Sequence, residues 1–173
     1  MEQYAHKDFI LKLFTDLISE PEFRDWKNVG IVVQAYLRDS KEDVLKLGAF
    51  AKKRGVPFTV RLVKGAYWDY ELISAKQNGW PIPVYTNKKE SDANYEDCMN
   101  SLLDFYPHVK LAIGSHNVRS IAAGLVAARE RNIPAAALEV QMLFGMAEPI
   151  KKALLQLNYR VREYATIGEL IPG

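Results

Sequence analysis

The chain of 173 residues has a single cysteine, Cys98, so no internal disulfide can form. A reducing compartment fits that usage without being required by it. Histidine is scarce too: His6, His108 and His116 show no spacing that suggests a metal site. No apolar run approaches the roughly 18 residues of a membrane span. The first ten residues lack a basic stretch followed by a continuous apolar one, so they do not read as a secretory signal. Charge of one sign is also missing. With 23 basic and 21 acidic side chains the formal balance is +2, which gives no argument for nucleic acid. The basic clusters Lys52-Lys53-Arg54 and Lys88-Lys89 read as solvated surface. Absent as well are the Gly-x-Gly-x-x-Gly dinucleotide fingerprint, a phosphate loop of the Walker type and a Gly-x-Ser-x-Gly nucleophile elbow.

What is present is an alternation of helix and strand patterns. Phe9, Ile10, Leu13, Phe14, Leu17 and Ile18 recur at helical spacing and stop before Pro21. An apolar, β-branched run over 29–36 reads as a buried parallel strand. Ser40, with Asp43 three positions on, reads as a helix cap, and Gly55 as that helix's end. Phe58 to Val63 is the next strand, followed by a helix over 69–78. Pro81 and Pro83 argue against a central strand, so a loop is expected there, then a helix over 92–105. Strands over 109–113, 135–140 and 159–165 follow, separated by helices over 118–131 and 147–157. Five strands alternating with helices predict an α/β fold with a covered parallel sheet. An open doubly wound sheet and a partial (β/α)8 barrel of the TIM type both fit. The length is short for a complete barrel, which typically needs about 250 residues.

Polar residues and glycines gather just after the strands' C-terminal ends, the functional face in either architecture. The densest such place is VRLVKGAYWD at 60–69. Arg61 and Val63 share one strand face. A buried arginine there needs a structural carboxylate or a ligand. Gly65 permits close backbone approach, and Tyr67 and Trp68 offer aromatic walls. Gln34, in an otherwise apolar strand, must find hydrogen-bond partners, whether a structural network or a ring with donors and acceptors on its edge. Ser115, His116 and Asn117 lie between a strand and a helix. Ser115 or Asn117 can cap that helix, whose exposed N–H groups favour a phosphate. His116 reads as cap, structural donor or ligand contact. Glu139 and Gln141 share a face of their strand, and Tyr164 closes the last one near Arg160 and Arg162.

These residues carry a resemblance over nearly the whole chain. VRLVKGAYWD at 60–69, VQAY at 33–36, PVYT at 83–86, SHN at 115–117, LEVQMLFGM at 138–146 and REYATIGELIPG at 162–173 resemble, in order, the proline dehydrogenase domain of bifunctional proline-utilisation (PutA-type) flavoenzymes. The resemblance implies a distorted (β/α)8 barrel holding FAD at the C-terminal ends of its strands. It implies oxidation of L-proline to 1-pyrroline-5-carboxylate, with electrons passing to quinone. It places Arg61 near the reacting edge of the flavin and Gln34 against the ring. Val63, Gly65, Ala66, Tyr67 and Trp68 line the flavin, with Tyr67 near the substrate. Thr86, Ser115, His116 and Asn117 belong to the pyrophosphate and adenosine surroundings, and Glu139 to a ribose hydroxyl. Tyr164 packs on the substrate side. Catalytic roles thus fall on Arg61, Tyr67 and Tyr164, and no metal is implied. Ser115 stands where the family usually has threonine.

The resemblance also implies that the chain covers strands four to eight of the barrel, lacking the first three strands and the last helix. A catalytic lysine and an active-site aspartate would precede Met1. Two arginines clamping the substrate carboxylate would follow Gly173. The isolated chain is then expected not to oxidise proline. Its partners would be the missing barrel segments and a fused glutamate-semialdehyde dehydrogenase domain, with no transmembrane segment. The parent would be cytoplasmic, or peripheral on the inner face of a bacterial membrane. The alternatives are a non-catalytic α/β flavin-binding module and a structural fragment.

Overall fold

Among the described residues, ten helices and strands, plus short turns, follow one another from β1 (Gly30–Gln34) onward, after an initial helix α1 (Lys7–Leu17). They are α2 (Ser40–Arg54), β2 (Phe58–Val63), α3 (Trp68–Asn78), α4 (Lys88–Asp104), β3 (Val109–Gly114), α5 (Val118–Glu130), β4 (Glu139–Leu143), α6 (Glu148–Gln156) and β5 (Arg160–Tyr164). This computed structural model describes residues 3–165 and 167–168. The closing GELIPG of the family-like motif therefore lies outside the described residues except for Gly168.

All neighbouring strands pair in parallel, in the order β1-β2-β3-β4-β5. That order decides between the two architectures open in the sequence. A doubly wound sheet reverses its strand order at a switch point, and this one does not. Successive right-handed crossovers in one direction leave every crossover helix on the same side, as in a barrel. The sheet's two faces differ accordingly. Phe58, Val60 and Leu62 of β2 point into the core beneath α2 and α4, each fully buried. Thr59, Arg61 and Val63 alternate with them and point to the other, polar face.

Several boundaries differ by a residue or two from those read in the sequence, and the starts of α2, α4 and β4 differ for physical reasons. Ser40 is not the cap of α2 but its first residue. Asp39 takes the cap position, and the Ser40 hydroxyl donates to Leu37 O at 2.8 Å. Asp43 does not fold back onto that cap, because its carboxylate pairs with Lys7 at 2.8 Å. α4 starts at Lys88 rather than 92, capped by Asn87, whose side chain accepts from Lys89 N. β4 begins at Glu139: Ala135–Ala137 form a 3-10 turn after Pro134, since three alanines have little preference for a pleated strand.

Arg54 corrects a different expectation. It is no solvated cation: its guanidinium donates to Ile18 O, Phe23 O, Trp26 O and Val56 O at 2.9–3.1 Å. One side chain thus ties the crossing between α1 and β1 to the end of α2.

Two glycines show how tightly the helices meet. A Cβ at Gly48 in α2 would lie 2.2 Å from the Phe105 ring. One at Gly124 in α5 would lie 2.6 Å from Met99 Sδ and 2.7 Å from Ile113 Cδ1. A thioether and a terminal methyl can swing aside; an aromatic ring seated between two helices cannot. Gly48→Ala is therefore expected to cost about 2–3 kcal/mol by overpacking. Gly124→Ala should cost less than about 1 kcal/mol, because gained helix propensity offsets a smaller clash. Urea denaturation midpoints of the two variants check the ranking.

Candidate functional site

The polar face of the sheet carries two adjoining cavities. The upper one, about 420 Å³, lies at the C-terminal ends of β1–β3, and Gln34, Arg61, Val63, Gly65, Tyr67 and Ser115 are among its walls. The lower one, of the same volume, lies toward the strands' N-terminal ends and is bordered by Lys110, Glu139, Gln141, Arg160, Arg162 and Tyr164. Arg61 borders both.

The upper recess follows from the local sequence. The β1–β2 ladder runs on past Gln34, with Ala35 N donating to Val63 O and Tyr36 N to Lys64 O. Gln34, buried in the strand, points its amide oxygen at Ala66 N at 3.3 Å, which holds the loop after β2 against the end of β1. Gly65 in that loop has φ +143°, a region open to glycine. A Cβ there would lie 2.3 Å from the Tyr36 ring. At Gly114, the end of β3, a Cβ would lie 2.7 Å from Val63 and 3.3 Å from Arg61 Nε. Glycine at these two positions lets backbone and guanidinium close the recess floor.

Arg61 is the electrostatic centre. Its Nε is buried and has no hydrogen-bond partner. Its guanidinium carbon lies 4.4 Å from the centre of the Tyr164 ring, a cation–π contact. No carboxylate pairs with it among the described residues, so the structural-carboxylate reading does not hold.

Tyr164 is oriented by a chain of bonds. Its hydroxyl donates to Gln141 Oε1 at 2.9 Å, and Gln141 Nε2 donates to Glu139 Oε1 at 2.5 Å. Arg162 grips both Glu139 oxygens, at 2.8 and 3.0 Å. The Glu139 carboxylate beside it, with little opposing burial, holds the Arg162 pKa above its usual value. Glu139 stands at the first residue of β4 and lines the lower cavity, away from Ser115 and Gly65.

At the rim, Asn117 caps α5 by accepting from Ser120 N at 3.0 Å, and Ser115 Oγ accepts from Asn117 N. His116 Nε2 accepts from Leu143 N at 3.0 Å. That nitrogen therefore carries no proton, and the ring's proton sits on Nδ1. Thr86 borders a separate shallow recess of about 260 Å³ with Trp68, Tyr85 and Asp92. Trp68 is turned there by its Nε1–H, which donates to Tyr85 O at 2.9 Å. Lys64 lines both that recess and the upper one, paired with Asp92 at 2.5 Å. Side-chain hydrogen bonds from Lys64 and Lys88 hold the Asp92 carboxyl below its usual range. The structure thus brings Gln34, Arg61, Val63, Gly65, Ala66, Tyr67 and Ser115 around one recess, with Tyr164 beneath and Thr86 outside. Gln141 and Arg162, noted in the sequence beside Glu139 and Tyr164, belong to the site too, and so does Lys64, which the sequence did not single out.

Fold and site together define the C-terminal-face ligand site of a (β/α)8-type sheet. The family model for proline dehydrogenase matches residues 1–173, and the chain belongs to that family. Among curated relatives, the bifunctional protein PutA of Klebsiella aerogenes is 32% identical over 96% of this chain and 13% of its own length. Proline dehydrogenase 1 of Bacillus subtilis is 27% identical over 97% of this chain and 48% of its own. A crystal structure of PutA from Bdellovibrio bacteriovorus, inactivated by N-propargylglycine, is 62% identical with a TM-score of 0.96, over 98% of this chain and 18% of that one. PutA from Corynebacterium freiburgense is 34% identical with a TM-score of 0.89, over 95% and 18%. The chain therefore spans less than half the length of each of these relatives, and corresponds to part of a PutA-type proline dehydrogenase domain.

Proposed function

We propose that this chain supplies most of the flavin-holding half of an FAD-dependent proline dehydrogenase, whose parent oxidises L-proline to 1-pyrroline-5-carboxylate and passes electrons to quinone. The observation that carries the reading is Arg61: a guanidinium with a buried, unpartnered Nε, bordering a recess where added Cβ atoms at Gly65 and Gly114 would crowd Tyr36 and Val63. A buried donor left without a partner costs free energy unless a ligand acceptor meets it. A flavin ring edge offers such acceptors, and the polar and aromatic groups around Arg61 suit a flat heteroaromatic ring. The residues present fit the cofactor.

Bound FAD would supply the hydride acceptor. The chain's residues would do the rest. Arg61 would donate to the ring's reacting edge. Gln34, already turned toward the Gly65–Ala66 loop, would meet the ring's far edge. Tyr67 would close one side, and Tyr164 would shape the substrate side with its ring held over Arg61. The α5 end, with Ser115 and Asn117, would face the cofactor's phosphates. Glu139, engaged by Arg162 and Gln141, would serve Tyr164 rather than a ribose. The remaining barrel strands, the substrate-carboxylate clamp and a fused aldehyde dehydrogenase would come from the rest of the parent, which would work in the cytoplasm or on the inner membrane face. Without them the 173 residues would not turn over proline.

The test is anaerobic flavin reduction by L-proline in the parent enzyme. Arg61→Met is expected to lower kcat/KM by about 100-fold or more, as for loss of a preorganised donor to developing charge. A change below about threefold, with flavin content intact, would remove Arg61 from this role. Proline-driven flavin reduction by the isolated chain would overturn the division of labour.

A further inference from the structure

At the C-terminal end of β4 one ladder bond is missing and a side chain takes its place. Pairing of β3 with β4 stops at Gly114↔Gln141, although β4 continues to Leu143. The Leu143 N–H has no strand carbonyl to meet on the β3 side. It donates instead to His116 Nε2, at 3.0 Å, from the loop between β3 and α5. On its other side the same stretch of β4 is firmly paired. Leu143 is in register with Tyr164, and Phe144 N donates to Tyr164 O at 3.0 Å. His116 is thus the one side-chain tie between the β3 loop and the β4 end among the described residues, and that end carries the backbone of Tyr164.

We propose that His116 is a positioning residue for the substrate side of the site, acting through Leu143 on Tyr164 and fixed as the neutral Nδ1–H tautomer. The geometry needs an unprotonated nitrogen at Nε2, since a doubly protonated ring has no acceptor. It also needs that acceptor at the reach of Nε2, one bond further along the side chain than Nδ1. Gln places its amide oxygen at about that reach; Asn falls short; Ala has nothing. This gives the rescue pattern that a mere space-filling role would not give, because Asn fills more of the space than Ala yet restores nothing.

Its consequence for substrate rests on the proline dehydrogenase reading; the bond and tautomer do not. The experiment separates the two. In the parent enzyme, hydrogen exchange over residues 142–146 is expected to speed up about tenfold in His116→Ala and His116→Asn and to stay near the wild-type rate in His116→Gln. A 15N spectrum of selectively labelled histidine is expected to show Nδ1 protonated and Nε2 bare. KM for L-proline should rise about tenfold in the Ala and Asn variants, with the Gln variant within about threefold of wild type. Equal exchange in all three variants, or a ring protonated at Nε2, would overturn the proposal. So would Ala and Asn variants whose loss falls on kcat alone. A parent that does not oxidise proline would sink the enzymatic reading, while the exchange and nitrogen spectra would still decide the role of His116.

Discussion

Lys7→Met is expected to destabilise the fold by about 3–5 kcal/mol, far more than removal of an exposed lysine. Lys7 opens α1 and is only 3% exposed. Its ammonium lies 2.8 Å from Asp43, 2.9 Å from Asp39 and 3.0 Å from Asp8. Asp43 is itself 5% exposed, so a methionine in place of Lys7 would leave its carboxylate buried without a cation. The pKa directions agree with this. Burial alone would lower the Lys7 pKa, but hydrogen bonds to Asp39, Asp43 and Asp8 outweigh it and hold the ammonium above the usual lysine range. Burial pushes the Asp43 carboxyl up despite the pull of Lys7. Stability from a lysine whose folded pKa is raised is complete below the unfolded value near 10.4 and is lost as pH climbs through the folded one. Denaturant melts of wild type and variant should therefore differ most near neutral pH, begin to converge only above about pH 10.4, and meet only once pH passes the raised folded value. Replacing both partners, Lys7→Met with Asp43→Leu, should recover a large part of the loss. A loss under about 1 kcal/mol would mean that α1 is not fastened here.

This cluster marks where the sequence stops being legible. The strands announced themselves, because β-branched runs such as 30–34 and 58–63 have few other uses. Their number and parallel sense followed. The choice between barrel and doubly wound sheet did not follow from periodicity, which carries no information on the order in which strands lie; the family resemblance alone pointed to the barrel, and the strand order bears it out. Lys7 could not be paired either: its partners Asp39 and Asp43 are more than thirty residues away, and only the fold brings them together. Arg54 failed for the same reason, its carbonyl acceptors being set by a tertiary turn. The start of α4 was different. Asn87 with Glu90 three residues later is an N-terminal signal lying in plain view, hidden only by weight given to the two prolines before it.

The site divides along the same line. Arg61, Gly65, Tyr67 and Ser115 sit at strand ends, where polar types stand out against an apolar run. In the orienting set Arg162–Glu139–Gln141 the shared face of Glu139 and Gln141 shows in their spacing, but the bridge to Arg162 joins β4 to β5 across the sheet, and no spacing along the chain encodes it. Charge explains why it is needed. Arg61, Lys110, Arg160 and Arg162 converge on the lower cavity with Glu139 as the carboxylate there, so Glu139 must be shared out by geometry. Holding it on Arg162 leaves Arg61 free to face the recess.

Gly65→Ala is expected to have the largest effect on the recess, and it separates conformational strain from local crowding. At φ +143° an L side chain is strained wherever it points, by about 1–3 kcal/mol. The new Cβ would also lie 2.3–2.5 Å from three carbons of the Tyr36 ring. Tyr36 is buried with Leu37 and Val84 in a small second core and cannot easily turn away. Together these give roughly 3–5 kcal/mol, read from the denaturation midpoint. Gly79→Ala supplies the control. It too has positive φ, +66°, but meets nothing within 4 Å, so only about 1 kcal/mol should be lost. The two variants should part further in flavin content. The loop that Gly65 bends is the one Gln34 holds through Ala66 N, so displacing it opens the recess floor beneath Arg61. Gly79 lies beyond α3 and leaves that floor alone. In the parent enzyme, the ratio of flavin to protein absorbance should fall at least about tenfold for Gly65→Ala and stay near wild type for Gly79→Ala. If Gly65→Ala keeps its flavin while losing stability, the loop is a structural hinge and the cofactor must rest elsewhere on the sheet.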